Sequence, residues 1–213
     1  AKTLHFLDKN GNIHAYDTNG NSATTVFTDD SVDKKYIGLA NFDGELLLLK
    51  NDGEIRSFHP ETGFSGANNK FNVTDKKKRK KYKNFDGIAY DSNEEVLLML
   101  KTDDEEGEIE VYDENQNKVE NHPFHDMEFE FDDDDEEVQG ISYDSTNQIL
   151  IVMTENQVVA FDSQENQISS DYEIDKSKLP GLKDFRGIAI HSGTIKAKDT
   201  DDDSNQSETP SRM

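Results

Sequence analysis

The chain has 213 residues, of which 46 are acidic and 23 basic, so its net charge is −23, and it contains no cysteine. A negative field of this size repels nucleic acid and anionic membranes, so a nucleic-acid function is not expected. The lack of cysteine excludes disulfides and thiolate chemistry, and no apolar run approaches the roughly 18 residues of a membrane-spanning helix.

Residues 3–29 contain three predicted strands, and Asn10-Gly11 lies between the first two. Asn-Gly between apolar runs predicts a tight hairpin, because both turn positions take positive φ. An Asp-x-Asn-x-Asn run that begins at Asp8 has the spacing of calcium-loop ligands. Its sixth residue, however, is Ile13 and not the glycine that such loops need. The pattern therefore favours a hairpin over a calcium site.

Residues 36–63 form the first complete unit, in which three strands are joined by Asp-Gly turns. The predicted strands are Ile37–Asn41, Glu45–Lys50 and Glu54–Phe58. Lys70–Val73 is a candidate fourth strand.

The one strongly basic run of the sequence is KKKRKKYK at residues 76–83. Runs of this kind occur in nuclear-import signals and in anion-binding sites. This one lies between two units of an acidic chain, which favours a solvated linker that offsets neighbouring carboxylates.

Residues 85–115 form the second unit, and the alternating segment Phe124–Phe131 predicts one more strand. The run DDDDEE that follows it is predicted to be an exposed loop. His122 and His125 have a spacing that metal ligands can adopt, but Pro123 prevents a regular helix. A connector loop with incidental histidines is favoured.

Residues 138–166 form the third unit, and a partial copy, FRGIAIHSG, begins at Phe185. The chain loses its periodicity from Lys196 onward. We therefore predict one domain over residues 1–195 and an acidic disordered tail over residues 196–213.

The units align on four glycines, whose spacings run from the high forties to the low fifties: Gly38, Gly87, Gly140 and Gly187. This is the period of β-propeller blades of about four strands each. The glycines are predicted in the innermost strands, where backbones crowd near the ring axis. An apolar-x-x-aromatic pattern also recurs, and its rings are predicted to pack between neighbouring sheets: Tyr16, Phe58, Tyr112 and Phe161.

The two ends of the repeat complement each other. The last copy has the strand around Gly187 but lacks a second half, and the first copy, Leu4–Asp17, lacks the glycine strand. Joined, they make one unit. The sequence therefore predicts an all-β fold, a propeller of four blades, with one blade shared between the N- and C-terminal segments. An open fragment of a larger propeller is the alternative. The Tyr-Asp-Ser segments at 90–92 and 143–145 are predicted Asx-type turns rather than catalytic groups.

Four segments carry a family resemblance: YIGLANFDGELLLLKNDGEIRSF, FDGIAYDSNEEVLLML, EIEVYDEN and FRGIAIHSG. Through them the chain resembles the SdiA-regulated family of bacterial envelope propellers, which overlaps the group called esterase-like activity of phytase. The resemblance covers most of residues 3–193. It implies a small β-propeller that is secreted, periplasmic or on the cell surface, with a calcium site.

The family tends to carry an acidic residue just before each blade glycine, pointing into the channel. Only Asp86 keeps that charge, since the other three positions hold Ile37, Gln139 and Arg186. One carboxylate beside one guanidinium is a poor cage for calcium, which takes six to eight oxygens. Asp86 is thus a weak metal candidate, and Asp86, Gln139 and Arg186 are the candidates to touch a ligand at one channel opening.

Two classes of function follow. The sequence has no Gly-x-Ser-x-Gly, HExxH or phosphate-loop motif, which favours a monomeric, non-enzymatic binding or scaffold module that holds a ligand or protein partner at the channel or a ring face. The alternative is a calcium-dependent phosphoester hydrolase, supported by the resemblance and by the acidity. The acidity is interpreted as solvated surface charge, with divalent-cation binding as its alternative reading.

Overall fold

The structure is a computed structural model, and it describes residues 3–17, 22–27, 35–59, 63–64, 69–103, 106–130, 138–154, 158–168 and 185–191. Within these residues the chain forms sixteen strands and one short helix. The strands make four antiparallel sheets of four strands each. One edge strand of each sheet contacts the corresponding edge strand of the next sheet, and these contacts form a closed cycle. The sheets are therefore the blades of a ring, and the strands that contact each other are the innermost ones. The predicted four-bladed propeller is confirmed.

Three blades are continuous in sequence. The first blade contains β4 (Tyr36–Phe42), β5 (Glu45–Lys50), β6 (Ile55–His59) and β7 (Gly63–Phe64). The second contains β8 (Gly87–Asp91), β9 (Val96–Asp103), β10 (Glu106–Tyr112) and β11 (Met127–Glu130). The third contains β12 (Val138–Asp144), β13 (Ile149–Thr154), β14 (Val158–Phe161) and β15 (Gln167–Ile168).

The fourth blade is composite, as predicted. Its innermost strand is β16 (Phe185–His191), and β1 (Thr3–Asp8), β2 (Ile13–Asp17) and β3 (Ser22–Phe27) follow outward. Strand β1 pairs antiparallel with β16 from Thr3↔His191 to Leu7↔Gly187. The two ends of the described chain therefore close the ring by backbone hydrogen bonds.

Hydrophobic side chains fill each of the four spaces between neighbouring blades in a separate core cluster. Phe58 packs between the first blade and the composite blade, where it lies in the same cluster as Leu7 and Ile13. Tyr112 lies between the first and second blades, and Phe161 stacks on Phe129 between the second and third, with ring centroids 6.0 Å apart. The side chain of Tyr16 lies outside the described residues. The recurring aromatic residues with described side chains thus pack between blades, as predicted.

The predicted fourth strand of the first blade is wrong in position. The outer strand is β7, whose Phe64 pairs with Phe58, while Val73 makes only an isolated bridge to Ile55. Gly63 allows this tight return because its φ of 81° lies in the left-handed region.

The basic run is more than a solvated linker. Lys76–Arg79 forms the helical turn α1, whose first amides are capped by the Asp75 carboxylate. The Arg79 guanidinium lies 3.0 Å from Asp52 and 2.9 Å from Glu54, and Tyr82 is fully buried against the second blade's Tyr112. The sequence did not predict this docking, because Arg79 and Tyr82 contact residues that are distant in the sequence.

The first hairpin also differs from the two-residue turn predicted at Asn10-Gly11. Only Gly11 has positive φ there, at 88°, and the loop runs from Asp8 to Ile13. The Asp8 carboxylate accepts hydrogen bonds from the amides of Asn10 and Asn12, each at 2.8 Å. The carboxylate therefore stabilises the turn, which accounts for the Asp-x-Asn-x-Asn spacing without calcium.

Candidate functional site

The innermost strands β4, β8, β12 and β16 leave little room at the level of the repeated glycines. Each glycine lies against a neighbouring innermost strand. An added Cβ would lie 3.0 Å from Ile88 at Gly38, 3.0 Å from Gly187 at Gly140 and 2.9 Å from Leu39 at Gly187, and at an ordinary contact distance of 3.5 Å from Ile141 at Gly87. Strands on opposite sides of the ring also come close, β12 to β4 and β16 to β8. A ligand on the axis must therefore sit beyond these glycines, toward one ring face.

A cavity of about 430 Å³ lies on the ring face where the innermost strands end. We call it the ring-face cavity. It receives residues from every blade: Asn41, Asp43, Gly44, Tyr90, Ser92, Ser142, Tyr143, Asp144, Ser145, Thr146 and Ile190. Because all four blades converge on it, its shape depends on closure of the whole ring.

The cavity residues from the innermost strands occupy one repeated position. Asn41, Tyr90, Tyr143 and Ile190 each lie three residues after the blade glycine. The repeat therefore supplies four equivalent places around the axis, filled by one amide, two phenols and one aliphatic side chain. Ser142 stands where the other blades have alanine, and its Oγ accepts a hydrogen bond of 2.9 Å from the Ile190 amide.

Tyr90 and Tyr143 are 6% and 7% exposed. Neither hydroxyl forms a hydrogen bond with the described part of the chain, and neither is enclosed by protein atoms. Since both residues line the ring-face cavity, their hydroxyls open onto it. The rings are held from behind, Tyr90 by Phe42 and Phe71, and Tyr143 by Phe124 and His122.

The electrostatic environment of both phenols is negative. Burial, and then the charges of Asp43, Glu95 and Asp91, raise the pKa of Tyr90 to about 12. Burial, and then Asp91, Glu94 and Asp144, likewise raise the pKa of Tyr143 well above its ordinary range. Both phenols therefore remain neutral at physiological pH and can donate or accept hydrogen bonds.

The two Tyr-Asp-Ser turns are Asx turns, as predicted. Asp91 Oδ1 accepts from the Asn93 amide at 2.8 Å, and Asp144 Oδ1 accepts from the Thr146 amide at 3.1 Å. The Ser92 amide also donates to Ser145 Oγ at 2.9 Å. This bond joins the second and third blades at the edge of the ring-face cavity.

His122 lies in the predicted connector loop, between β10 and β11, but it is not incidental to the structure. The residue is buried, and its Nδ1 accepts from the Phe124 amide at 3.2 Å, which leaves the ring proton on Nε2. Nε2 lies 3.4 Å from Asp91 Oδ2. Burial alone would raise the pKa of Asp91, but hydrogen bonds from His122, Asn93 and Ser145 hold it below its usual range. His122 thus fixes the turn that carries Ser92 to the cavity.

The residues proposed from sequence as ligand contacts lie at the other end of the strands. Gln139 and Arg186 occupy irregularities in the pairing of β12 and β16, at the position just before the blade glycine. Asp86 is exposed, and its carboxylate accepts from the amide and hydroxyl of Thr102 at 3.1 and 2.9 Å. None of the three lines the ring-face cavity. Their role in binding stays a prediction.

Among the residues that the structure describes, no three His, Asp or Glu side chains are grouped closely enough to hold a metal ion. In the same part of the chain, no helix has the length and apolar character needed to cross a bilayer.

A second cavity, of about 610 Å³, lies at the side of the second blade, and its lining is Asn84, Lys101, Thr102, Glu106, Gly107, Glu108, Glu128 and Phe129. Beside it the buried Glu110 joins Lys101, Tyr112 and Lys118 in a hydrogen-bonded cluster. Burial would raise the pKa of Glu110, but these hydrogen bonds hold it at about 2. Apart from Asn84, which precedes β8, the lining comes from the second blade. Because Lys101 is paired with Glu110, we assign this cluster a structural role.

We expect Glu110→Gln to destabilise the fold in a pH-dependent way. The folded pKa lies below the ordinary 4.5, so the cluster stabilises the fold above pH 4.5 and loses this contribution as the pH falls toward 2. The difference in free energy of unfolding between wild type and variant should shrink by about 1 kcal/mol between pH 6 and pH 3.5. Urea unfolding at both pH values measures it, and an equal difference at the two would contradict the assignment.

No family model matches the chain, and no curated protein matches it. Among solved structures it is similar to one described as a crystal structure of a nidogen/laminin complex, with 15% identity, a TM-score of 0.43, and coverage of 79% of this chain and 60% of that one. It is also similar to Sqt1 of Saccharomyces cerevisiae, with 14% identity, a TM-score of 0.33, and coverage of 76% and 43%.

The chain thus spans less than two thirds of the length of either structure. Likeness at this identity and TM-score supports no functional inference. The small β-propeller rests on the chain's own architecture, and the resemblance to the SdiA-regulated family stays a prediction.

Proposed function

We propose that the protein is a binding module that holds a small ligand, or one side chain of a protein partner, in the ring-face cavity. The observation that carries the proposal is that all four blades contribute to this cavity, which no single blade could form. Its volume of about 430 Å³ falls within the roughly 300–1,000 Å³ of ligand pockets.

The site is also pre-formed. The Asx turns of Asp91 and Asp144, the bond from Ser92 to Ser145 and the bond from Ile190 to Ser142 fix its walls by hydrogen bonds. A rigid site pays little ordering entropy on binding, so even a small ligand can be held with useful affinity.

A bacterial, extracytoplasmic setting and a monomeric state are parts of this proposal. The setting is supported by the motif resemblance, and cell fractionation tests it. The alternative, a calcium-dependent phosphoester hydrolase, gains no support from the described residues, because they contain no group of three potential metal ligands. Calcium is therefore kept as one probe among several.

We expect at least one simple probe to give saturable NMR shifts at the amides of the cavity. The probes are n-butylammonium, butyrate, methyl glucoside, inorganic phosphate and calcium chloride. Thr146→Trp should abolish those shifts, since Thr146 is an exposed residue of the lining whose replacement by a large ring obstructs the opening.

Gln164→Trp is the matched control, because Gln164 is exposed in a turn of the third blade and does not line the cavity. It should bind the same probe as wild type does. If no probe shifts the cavity amides, or if both tryptophan variants bind equally well, the proposed site is wrong.

A further inference from the structure

We propose that the ring-face cavity takes an organic cation, an alkylammonium or guanidinium group. This rests on the proposed function and names the chemistry of its ligand. Such a cation can belong to a free small amine or to a basic side chain of a protein partner, and the experiment below separates these two sources.

The lining of the cavity is negatively charged. Among the described residues that line the cavity, the charged side chains are Asp43 and Asp144, and none is lysine, arginine or histidine. The two aspartates belong to the first and third blades, so negative charge reaches the cavity from two sides. An anion here would meet repulsion and no counter-charge from these side chains, which disfavours phosphate and carboxylate ligands.

Two phenols open onto the cavity. Tyr90 and Tyr143 are more than nine-tenths buried as residues, and their hydroxyls face the cavity without a hydrogen bond to the described part of the chain. Each hydroxyl therefore takes its hydrogen-bond partner from whatever occupies the cavity, which is water or a ligand. An ammonium or guanidinium group offers several donors and no acceptor, which suits two phenol oxygens beside carboxylates. Aromatic rings in the wall add cation–π attraction.

Carboxylates set the electrostatic field at the phenols. After burial, the causes that raise their pKa are carboxylate charges, those of Asp43, Asp91 and Glu95 at Tyr90 and those of Asp91, Glu94 and Asp144 at Tyr143. Lys70 offsets part of this field, since it lies 2.5 Å from Glu95. The carboxylates outnumber this cation, so the potential at the hydroxyls is negative.

A bare metal ion fits the cavity less well than an organic cation. The Asp144 carboxylate is engaged by the Thr146 amide and by Asn147 Nδ2, at 3.1 and 2.8 Å. Calcium takes six to eight oxygens around one point, whereas the oxygens here are spread over a cavity of about 430 Å³. An alkylammonium or guanidinium group brings apolar carbon and directed N–H groups that use both the rings and the oxygens.

The test is titration of isotope-labelled protein with n-butylammonium, N-methylguanidinium, 1-butanol, butyrate and methyl glucoside. The two cations should bind at least tenfold more tightly than the isosteric alcohol, and butyrate should not bind. Asp43→Asn should weaken binding of the cations by about tenfold, the effect of losing one hydrogen bond to a charged group. Tyr143→Phe should weaken it by about threefold, because a neutral acceptor is lost.

Asp75→Asn is the matched control for charge. It removes the same charge at the cap of α1, asparagine also caps helices, and Asp75 does not line the cavity. It should leave cation binding within twofold of wild type. Asparagine is equally acceptable at position 43, where φ is 47° in an Asp-Gly turn, so the test variant is expected to fold.

A blocked tripeptide, acetyl-glycyl-lysyl-glycine amide, separates the two sources. Binding at least tenfold tighter than that of n-butylammonium assigns the cation to a partner's side chain, and any weaker binding of the peptide assigns it to a free amine. If the alcohol, glucoside or butyrate shifts the cavity amides as strongly as the cations do, or if Asp43→Asn and Asp75→Asn behave alike, the cation inference is overturned while the binding site stands. If no probe shifts those amides, both fail.

Discussion

Replacement of Gly187 by alanine is expected to lower the free energy of unfolding by about 3 kcal/mol, the upper part of the range for overpacking. A Cβ at Gly187 would lie 2.9 Å from the Leu39 amide nitrogen and 3.2 Å from Gly38 Cα. These are backbone atoms of β4, so relief requires the composite blade to move away from the first blade. No left-handed φ is involved at Gly187, so the effect is one of contact alone.

Gly87→Ala is the matched control. Its Cβ would meet Leu100 Cδ2 at 3.1 Å, Leu100 Cβ at 3.2 Å and Ile141 Cγ1 at 3.5 Å, none of which is a backbone atom. Side chains can shift by a few tenths of an ångström, so this variant should cost about 1 kcal/mol. Thermal and urea unfolding of the two variants give the comparison. Equal destabilisation, or a larger effect at Gly87, would mean that the ring is not closed by contact between β16 and β4.

A chain that ends at Leu182 is expected to lose cooperative folding. It lacks β16, which buries Phe185, Ile188 and Ile190 at 3%, 0% and 4% exposure. Large apolar side chains each contribute roughly 1.5–3 kcal/mol when buried, and three of them approach the whole stability of an ordinary domain. The same cut removes the partner of β1 and one wall of the ring-face cavity.

A chain that ends at Ile195 is the control, because it keeps β16 and removes only the predicted disordered tail. It should melt within about 2 °C of the full chain, because the tail is predicted to be disordered and disordered tails contribute little to stability. Addition of a synthetic peptide of residues 183–195 should restore a cooperative transition to the shorter chain. Circular dichroism melting measures all three. A cooperative transition in the chain that ends at Leu182 would contradict ring closure by β16.

Much of the fold could be predicted because the residues that recur in the sequence are the ones that pack the ring together. Glycines recur where innermost strands touch, and aromatic residues recur where neighbouring blades pack. The composite blade could be predicted because the last copy of the repeat has the glycine strand but no second half, whereas the first copy lacks the glycine strand. Strand β7 was missed because two residues, Gly63 and Phe64, are too few to show any alternation.

The site was harder to predict, although its signal is present in the same alignment. The predicted ligand contacts are the residues just before each blade glycine, whereas the ring-face cavity is lined by the residues three places after it. Both ends of an innermost strand reach a ring opening, and the pattern does not show which end remains open. The contact of His122 with Asp91 had no signal in the sequence, because it joins residues in different strands and loops of the blade.

The pairing of β1 with β16 sets a constraint on biosynthesis. Leu4 lies opposite Ile190, so one of the first residues of the described chain cannot form its native pair until one of the last has been synthesised. At ordinary translation rates, synthesis from Leu4 to Ile190 takes on the order of ten to forty seconds. During that time the edge of β1 that pairs with β16 has no native neighbour. Contacts this distant in sequence also form slowly. The ring therefore closes only after β16 has emerged from the ribosome, and a nascent β1 strand is the place where premature pairing between chains would begin.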